Sequence, residues 1–482
     1  IGASIKDNRF DELSVYGPIA GAPNIFNVVN LDKSQKKTPK TGWHEQTQSF
    51  FYSLELGWKS QLFVTTTGRN DWASQLANSP QKSFFYPSVG VSWLPSSTFN
   101  FPEKFNYLKI RASWASVANP FPRELTIATH PYDDTISGWD DKSNYPIGQL
   151  YPERTKTWEL GFDARFLHGF TLSASWYRAD TYNQTFNPNL SASSGYSDIY
   201  IQTGHVRNTG VEASLGYDHQ WKNWNWNSQF TFSWNKNKII ELCKEWYNPI
   251  TEETITMNRL QISKLGRAKF ILKEGGSMGD LYSTTDLRRD DKGNIEIDEG
   301  GNVVVEDNLP DMKLGSVFPD YNLAWRNSVS WKNLNLGFLV TARIGGIVNS
   351  LTQANMDLFG VSEATAAARD AGGALVNGRS LVNPETWYTA IASQGGIPQY
   401  YTYSATNVRL QELSLGYTIP RKWLHNVCSI TVSFVGRNLW MMYCKAPFDP
   451  EAVASTNNFY QGMDYFMMPS TRNLGFNINI KF

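Results

Sequence analysis

The side chains best suited to proton transfer or metal ligation are six histidines: His44, His130, His168, His205, His219 and His425. General acid–base chemistry needs an imidazole held beside a nucleophile or carboxylate, and a zinc site needs its ligands at fixed spacing. These six are scattered, and none belongs to a His-Glu-x-x-His helix, a nucleophile elbow, a Walker loop or a dinucleotide fingerprint. The three cysteines, Cys243, Cys428 and Cys444, are too few for a disulfide scaffold and lack metal-ligand spacing. A charged tract, Asp286-Leu-Arg-Arg-Asp-Asp-Lys-Gly-Asn-Ile-Glu-Ile-Asp298, is interrupted by Arg288, Arg289 and Lys292 and misses the twelve-position EF-hand pattern. We therefore expect no enzyme, no catalytic residue, no cofactor and no metal. The tract is compatible with calcium but does not predict it, and a solvated loop is the reading adopted.

The elements that would position any site are strands. In Ser470-Thr-Arg-Asn-Leu-Gly-Phe-Asn-Ile-Asn-Ile-Lys-Phe482, the residues Leu474, Phe476, Ile478, Ile480 and Phe482 share one parity, and Gly475, Asn477, Asn479 and Lys481 take the other. That is the period of a strand with one apolar and one polar face. The same alternation recurs in pairs: Phe50 to Trp58 with Gln61 to Asn70, Thr157 to Phe166 with Gly169 to Arg178, and Val211 to His219 with Trp224 to Trp234. Tyr321 to Trp331 with Leu334 to Ala342, and Val408 to Thr418 with Cys428 to Val435, complete the set. Each pair has a short connection and reads as an antiparallel hairpin. The links between hairpins are long and polar, notably 241–319 and 348–405. Short turns on one rim and long loops on the other predict an all-β, transmembrane antiparallel β-barrel.

Composition is consistent with that fold. The 482 residues are 18% charged and 14% aromatic, and the mean hydropathy is −0.41. No apolar run approaches the roughly 18 residues of a membrane helix, whereas a barrel hides its lipid face in alternation. Forty-four Lys and Arg balance 44 Asp and Glu, which argues against nucleic acid as a partner. Tryptophans near strand ends, such as Trp72, Trp331 and Trp440, suit an interfacial belt or ordinary sheet packing. Residues 1–46 read as an extracellular loop region with a short strand around Asn24 to Leu31, and 47–482 as barrel strands with long extracellular loops. The start carries no signal-peptide pattern, so the expectation is a portion of something longer. Ser362-Glu-Ala-Thr-Ala-Ala-Ala-Arg-Asp370 is expected to form a short helix inside a loop, with Glu363 and Arg369 at the ends the helix dipole favours.

Particular segments add a resemblance. Tyr52-Ser-Leu-Glu-Leu-Gly-Trp58 followed by Gly68-Arg-Asn-Asp-Trp72, then Trp158-Glu-Leu-Gly-Phe-Asp163, Asn208-Thr-Gly-Val-Glu212, Gly436-Arg-Asn-Leu-Trp440 and Pro447-Phe-Asp-Pro450 occur in one order. Together they resemble the C-terminal part of the barrel in the SusC/RagA family of TonB-dependent outer-membrane transporters. The resemblance implies about fourteen strands of an expected 22-stranded plugged barrel. The implied partners are a SusD-like surface lipoprotein lid, a missing N-terminal barrel and plug portion, TonB acting through that portion, and outer-membrane lipid. It also implies a dimer of transporter–lipoprotein pairs and a glycan or peptide substrate. A passive porin or a β-rich surface-binding protein is the alternative. Arg69 and Asp71 then fasten a loop base or are plain surface residues, and Glu212 faces the lumen or pairs across strands. Trp139, Trp246, Trp387 and Tyr388, in the long loops, are possible substrate or lid contacts, stacking on sugars, packing on peptide or burying against the lid.

Overall fold

The computed structural model describes residues 1–123, 125, 132–133, 138–139, 144–145, 150–186, 198–202, 204–248, 252–455 and 460–482. Fourteen strands dominate it. They are β1 (Gly2–Leu13), β2 (Lys40–Trp58), β3 (Leu62–Ala73), β4 (Phe84–Trp93), β5 (Phe105–Asn119), β6 (Glu153–Phe166) and β7 (Phe170–Tyr182). The second seven are β8 (His205–Gln220), β9 (Trp224–Glu241), β10 (Tyr321–Trp331), β11 (Leu334–Ile344), β12 (Asn407–Ile419), β13 (Ser429–Cys444) and β14 (Asn473–Lys481). They make one 14-stranded sheet in chain order, and every pairing within it is antiparallel.

Register places the apolar set of each strand on a common face. Leu336 lies opposite Leu415, Leu415 opposite Phe434 and Phe434 opposite Phe476, so one apolar row crosses four strands. On the other parity, Asn335, Gly416, Ser433 and Asn477 align. The terminal strand therefore has the expected sides, with Ile478 and Ile480 on the apolar face and Asn477 and Asn479 on the polar one. Trp58, Leu160, Phe230, Leu336 and Ile478 are all exposed on the apolar face. A contiguous band of this kind is a liability in water and suits hydrocarbon. A polar cluster within it obeys the same rule, because no water is available there to satisfy a buried donor or acceptor. Asn327 donates to Ser228 Oγ at 3.2 Å, while the indoles of Trp226 and Trp325 cover the pair and donate to Asn327 Oδ1 and Ser228 Oγ at 2.8 and 3.1 Å.

Short connections gather at one edge: 59–61, 94–104, 167–169, 221–223, 332–333 and 420–428. Lys59 and Ser60, like Leu167 and His168, have left-handed φ, the backbone of tight hairpin turns whose twist matches the strands. The opposite edge carries the long links. Two expectations are corrected here. Residues 1–46 are not a loop region with one short strand around Asn24 to Leu31, because Gly2–Leu13 is a full strand paired to the beginning of β2, and Val28–Asn30 is a 3-10 turn rather than strand. The segment hides from sequence periodicity because Asp7, Arg9 and Asp11 occupy one parity and Lys6, Asn8 and Glu12 the other.

The second correction concerns the long links: beyond the local order expected in 348–405, and although the charged tract 286–298 is largely exposed, they fold together through shared cores. Segment 242–320 contributes a four-stranded sheet, Arg259–Leu265, Ala268–Lys273, Asp280–Ser283 and Met312–Ser316. Segment 345–406 contributes helices Leu351–Leu358, Glu363–Asp370 and Pro384–Ala392. The middle helix is the expected one, capped by Ser362, whose hydroxyl accepts from Thr365 N. Phe270, Leu281 and Val317 of the first link pack with Leu351 of the second and Met463 of the third. Leu287 and Val303 join Ala354, Ile391 and Tyr401 in a second cluster. Burying apolar side chains contributed by several links gives each one order that it could not hold alone.

Candidate binding surface on the polar face of the sheet

Below the folded loops, the polar face of β7 to β12 forms a depression of about 670 Å³. Its wall is built by alternate residues of adjacent strands: Ser173 and Ser175, Glu212 and Ser214, Thr231 and Ser233, then Asn322, Thr341 and Arg343. Arg111 closes one side, and Glu451, from the link after β13, reaches in from above. Strand register alone assembles this set, since residues two apart on each strand return to one face.

Arg111 is held by Asp163, whose carboxylate accepts from its guanidinium at 2.7 Å and from Ser173 Oγ at 2.7 Å, with Glu159 3.6 Å away. The guanidinium lies over Gly161, where a Cβ would stand 2.8 Å from Arg111 Nε. Toward the long-link edge a recurring arrangement appears, in which an arginine bonds the aspartate two residues on. Arg69 Nε reaches Asp71 at 2.7 Å and Arg178 Nε reaches Asp180 at 2.8 Å. Arg69 also donates to Ser49 Oγ, and the Tyr86 hydroxyl donates to Asp71. Arg69 and Asp71 do pair, and with Ser49 and Tyr86 they tie β2, β3 and β4 together near that edge. Asp180 is shared with Arg207 at 2.7 Å and His205 at 2.5 Å, and the imidazole stacks on Tyr182 with centroids 4.5 Å apart. A carboxylate divided among three cationic or imidazole groups is a structural anchor rather than the orienting member of a catalytic pair.

Arg409 of β12 is 4% exposed. It makes a two-toothed contact with Asp449 at 2.8 and 3.1 Å and an ion pair with Glu451 at 3.1 Å. This gives the Pro447-Phe-Asp-Pro450 segment a physical role, since Asp449 fixes the link that carries Glu451 over the depression. The carboxylates of the charged tract serve their own turns: Asp290 accepts from Lys292 N and Asn294 N, and Asp298 from Asn302 N. Among the described residues no three His, Cys, Asp or Glu side chains converge as a metal site. Cys428 and Cys444 are free thiols.

Of the aromatic residues singled out from sequence, Trp387 and Tyr388 lie on the helix Pro384–Ala392 and pack on the core of the loop body. Trp387 meets Tyr400 edge-on at 5.9 Å, and neither residue lines the depression. Trp139 and Trp246 fall outside the described side chains. Glu212 stands on the polar face as expected, whereas Arg111, Arg343, Arg409 and Glu451 were not picked out by sequence reasoning. The available signal was their parity within strands whose alternate residues are apolar, though Glu451 lies in a link and carries no such signal.

The arrangement offers hydroxyls, amides, guanidinium groups and carboxylates for hydrogen bonding along a wall. Over residues 3–439 the chain matches the family described as TonB dependent receptor-like, beta-barrel. It is 26% identical to TonB-dependent receptor P3 of Formosa agariphila over 97% of this chain and 49% of that protein. It is 21% identical to TonB-dependent receptor SusC of Bacteroides thetaiotaomicron over 78% of this chain and 38% of that protein. A solved chain of the RagAB peptide importer in the closed-closed state has a similar fold, with a TM-score of 0.75 at 18% identity, covering 100% of this chain and 53% of that one. The chain spans about half the length of the curated relatives it matches. On the matched barrel sequence and the sheet it forms, the chain belongs to the TonB dependent receptor-like β-barrel family of the outer membrane, a family of transport proteins rather than enzymes, and is related to the SusC/RagA-like transporters.

Proposed function

We propose that this chain is the C-terminal part of a 22-stranded, plugged barrel that imports oligosaccharides or peptides with energy delivered through TonB and with a SusD-like lipoprotein as its lid. The observation that carries the reading is the depression beneath the folded links, where Arg111, Glu212, Arg343 and Glu451 stand among serine and threonine hydroxyls. Such a wall binds a polar chain by many hydrogen bonds that each contribute little, about 1 kcal/mol apiece, so the ligand is held and still released. The fold shared with the RagAB peptide importer supports a peptide among the substrates, while the oligosaccharide alternative and the lid are what the resemblance to the SusC/RagA family implies. The folded links offer a shaped platform for that lid, and transporter–lipoprotein pairs would associate as dimers. Trp139, Trp246, Trp387 and Tyr388 remain proposed contacts to substrate or lid; the edge of the Trp387 ring against Tyr400 makes it a rigid anchor of the kind interfaces favour.

The test is uptake by cells carrying the full-length transporter with Glu212→Gln. A lost charge-assisted hydrogen bond should lower uptake at limiting substrate by about tenfold while leaving the amount of barrel in the membrane unchanged. Deleting TonB should abolish uptake of the oligosaccharide or peptide. Uptake that persists without TonB and without the lipoprotein would identify a passive pore and end this reading.

A further inference from the structure

The short-turn edge carries a charge that the whole chain does not. In the connections 59–61, 94–104, 167–169, 221–223, 332–333 and 420–428 the charged residues are Lys59, Lys104, Lys222, Lys332, Arg421 and Lys422, opposed only by Glu103. The chain as a whole has net charge zero, so the cations are concentrated at this edge. All six are exposed. Four of these turns also place a tryptophan beside a lysine: Trp58 and Lys59, Trp221 and Lys222, Trp331 and Lys332, Lys422 and Trp423. The four indoles are exposed, with Trp423 at 69%. Lys59 Nζ stands 4.8 Å from the Trp58 ring centroid and Lys332 Nζ 5.1 Å from that of Trp331. Backbone hydrogen bonds join several neighbouring turns along this edge, Leu94 N to Gln61 O, Leu167 N to Lys104 O and Lys332 N to Asn223 O.

We infer that this rim is a binding collar for anionic glycerophospholipids of the membrane leaflet it meets. An indole on the apolar face sits at headgroup level, and the ammonium groups of Lys59 and Lys332, held over the rings of Trp58 and Trp331, are placed where a lipid phosphate lies, so these turns present an apolar surface and a cation together. In a barrel of this kind the short turns face the periplasm, where the leaflet is built from glycerophospholipids. A peptide or protein ligand would call for a pocket or groove, whereas these groups are spread around an edge at the spacing of the turns.

The experiment is native mass spectrometry and lipid extraction of the full-length transporter complex purified from membranes, beside a variant carrying Lys59→Gln, Lys222→Gln, Lys332→Gln and Lys422→Gln, and a second carrying arginine at the same four positions. The wild type should retain anionic phospholipid in excess of its share of the membrane, and reconstituted protein at about 0.15 M salt should prefer phosphatidylglycerol over phosphatidylcholine. Each cation near an anionic surface contributes about fivefold in affinity. The glutamine variant should therefore lose the preference and the arginine variant keep it, with both still migrating as folded barrel on unheated gels. Equal anionic enrichment in wild type and glutamine variant overturns the inference. So does an unchanged lipid profile accompanied by loss of a periplasmic protein from the complex, which would make the rim a protein-docking surface.

Discussion

Tyr177 lies across Gly210, and its hydroxyl donates to Asn235 Oδ1 at 3.2 Å on the strand beyond. A Cβ at Gly210 would stand 2.4 Å from the tyrosine ring, so a large side chain from one strand crosses a gap on the next and reaches a third. Arg111 likewise lies over Gly161 on its way to Asp163, whose carboxylate also accepts from the Ser173 hydroxyl on the third strand. These two glycines belong to the Asn208-Thr-Gly-Val-Glu212 and Trp158-Glu-Leu-Gly-Phe-Asp163 segments that carried the family resemblance. Sequence could register the motifs, but not that each glycine is the floor under a neighbour's side chain, because the neighbour is set by register. Gly210→Ala should destabilise the barrel by about 1–3 kcal/mol through overpacking. Temperature-dependent gel mobility should fall accordingly for this variant, and in a Tyr177→Ala background the cost should shrink without vanishing, because the same Cβ would also stand 2.7 Å from the Trp234 carbonyl oxygen. An equal cost in both backgrounds would show that the glycine answers a backbone need instead.

Strands with one apolar face were legible because lipid on one side and a polar interior on the other impose a strict period, as in β14. Gly2–Leu13 escaped because its charges occupy both parities, and the long links escaped because their order comes from burial shared between segments far apart in sequence. Nothing within 242–320 announces that Phe270 will pack near Leu351 and Met463. One ion cluster within that body makes its stability pH-dependent. Asp311 accepts from Arg259 at 2.6 and 2.9 Å and lies 3.0 Å from Lys273, and Arg259 and Lys273 face each other across their hairpin. The hydrogen bonds from Arg259 hold its carboxyl well below the ordinary range; partial burial opposes them, and Lys273 adds to the lowering. A depressed carboxyl stabilises the fold above its ordinary pKa of about 4 and loses that contribution as pH falls toward and through the folded value. Hydrogen-exchange protection of 259–273 and 312–316, corrected for intrinsic rates, should be level from pH 8 to 5 and decline below about 4. Asp311→Asn should start lower and show no such decline; a wild-type profile flat to pH 2 would remove this cluster from the account.

At the scale of the molecule, β1 and β14 are the two outer strands of the sheet. β1 runs beside the long-link portion of β2, from Gly2 opposite Phe51 to Leu13 opposite Lys40, and Tyr52 to Trp58 have β3 as their partner. β14 runs beside the short-turn portion of β13, from Asn473 opposite Arg437 to Lys481 opposite Ser429. Barrels of fourteen strands exist, so strand number alone does not decide whether this sheet closes on itself. With about half of each curated relative lying beyond the matched length, we expect further strands to stand between β14 and β1 and to complete the larger barrel. The check uses full-length protein in which Cys243, Cys428 and Cys444 are replaced, with cysteines introduced in pairs for Ile5 and Phe476, or for Ala3 and Leu474. Neither pair should form a disulfide under mild oxidation, whereas cysteines replacing the directly opposed Val432 and Ile478 should do so readily and serve as the positive control. Rapid bridging between the β1 and β14 positions would mean that the fourteen strands close on themselves, and the expectation of a larger barrel would then fail.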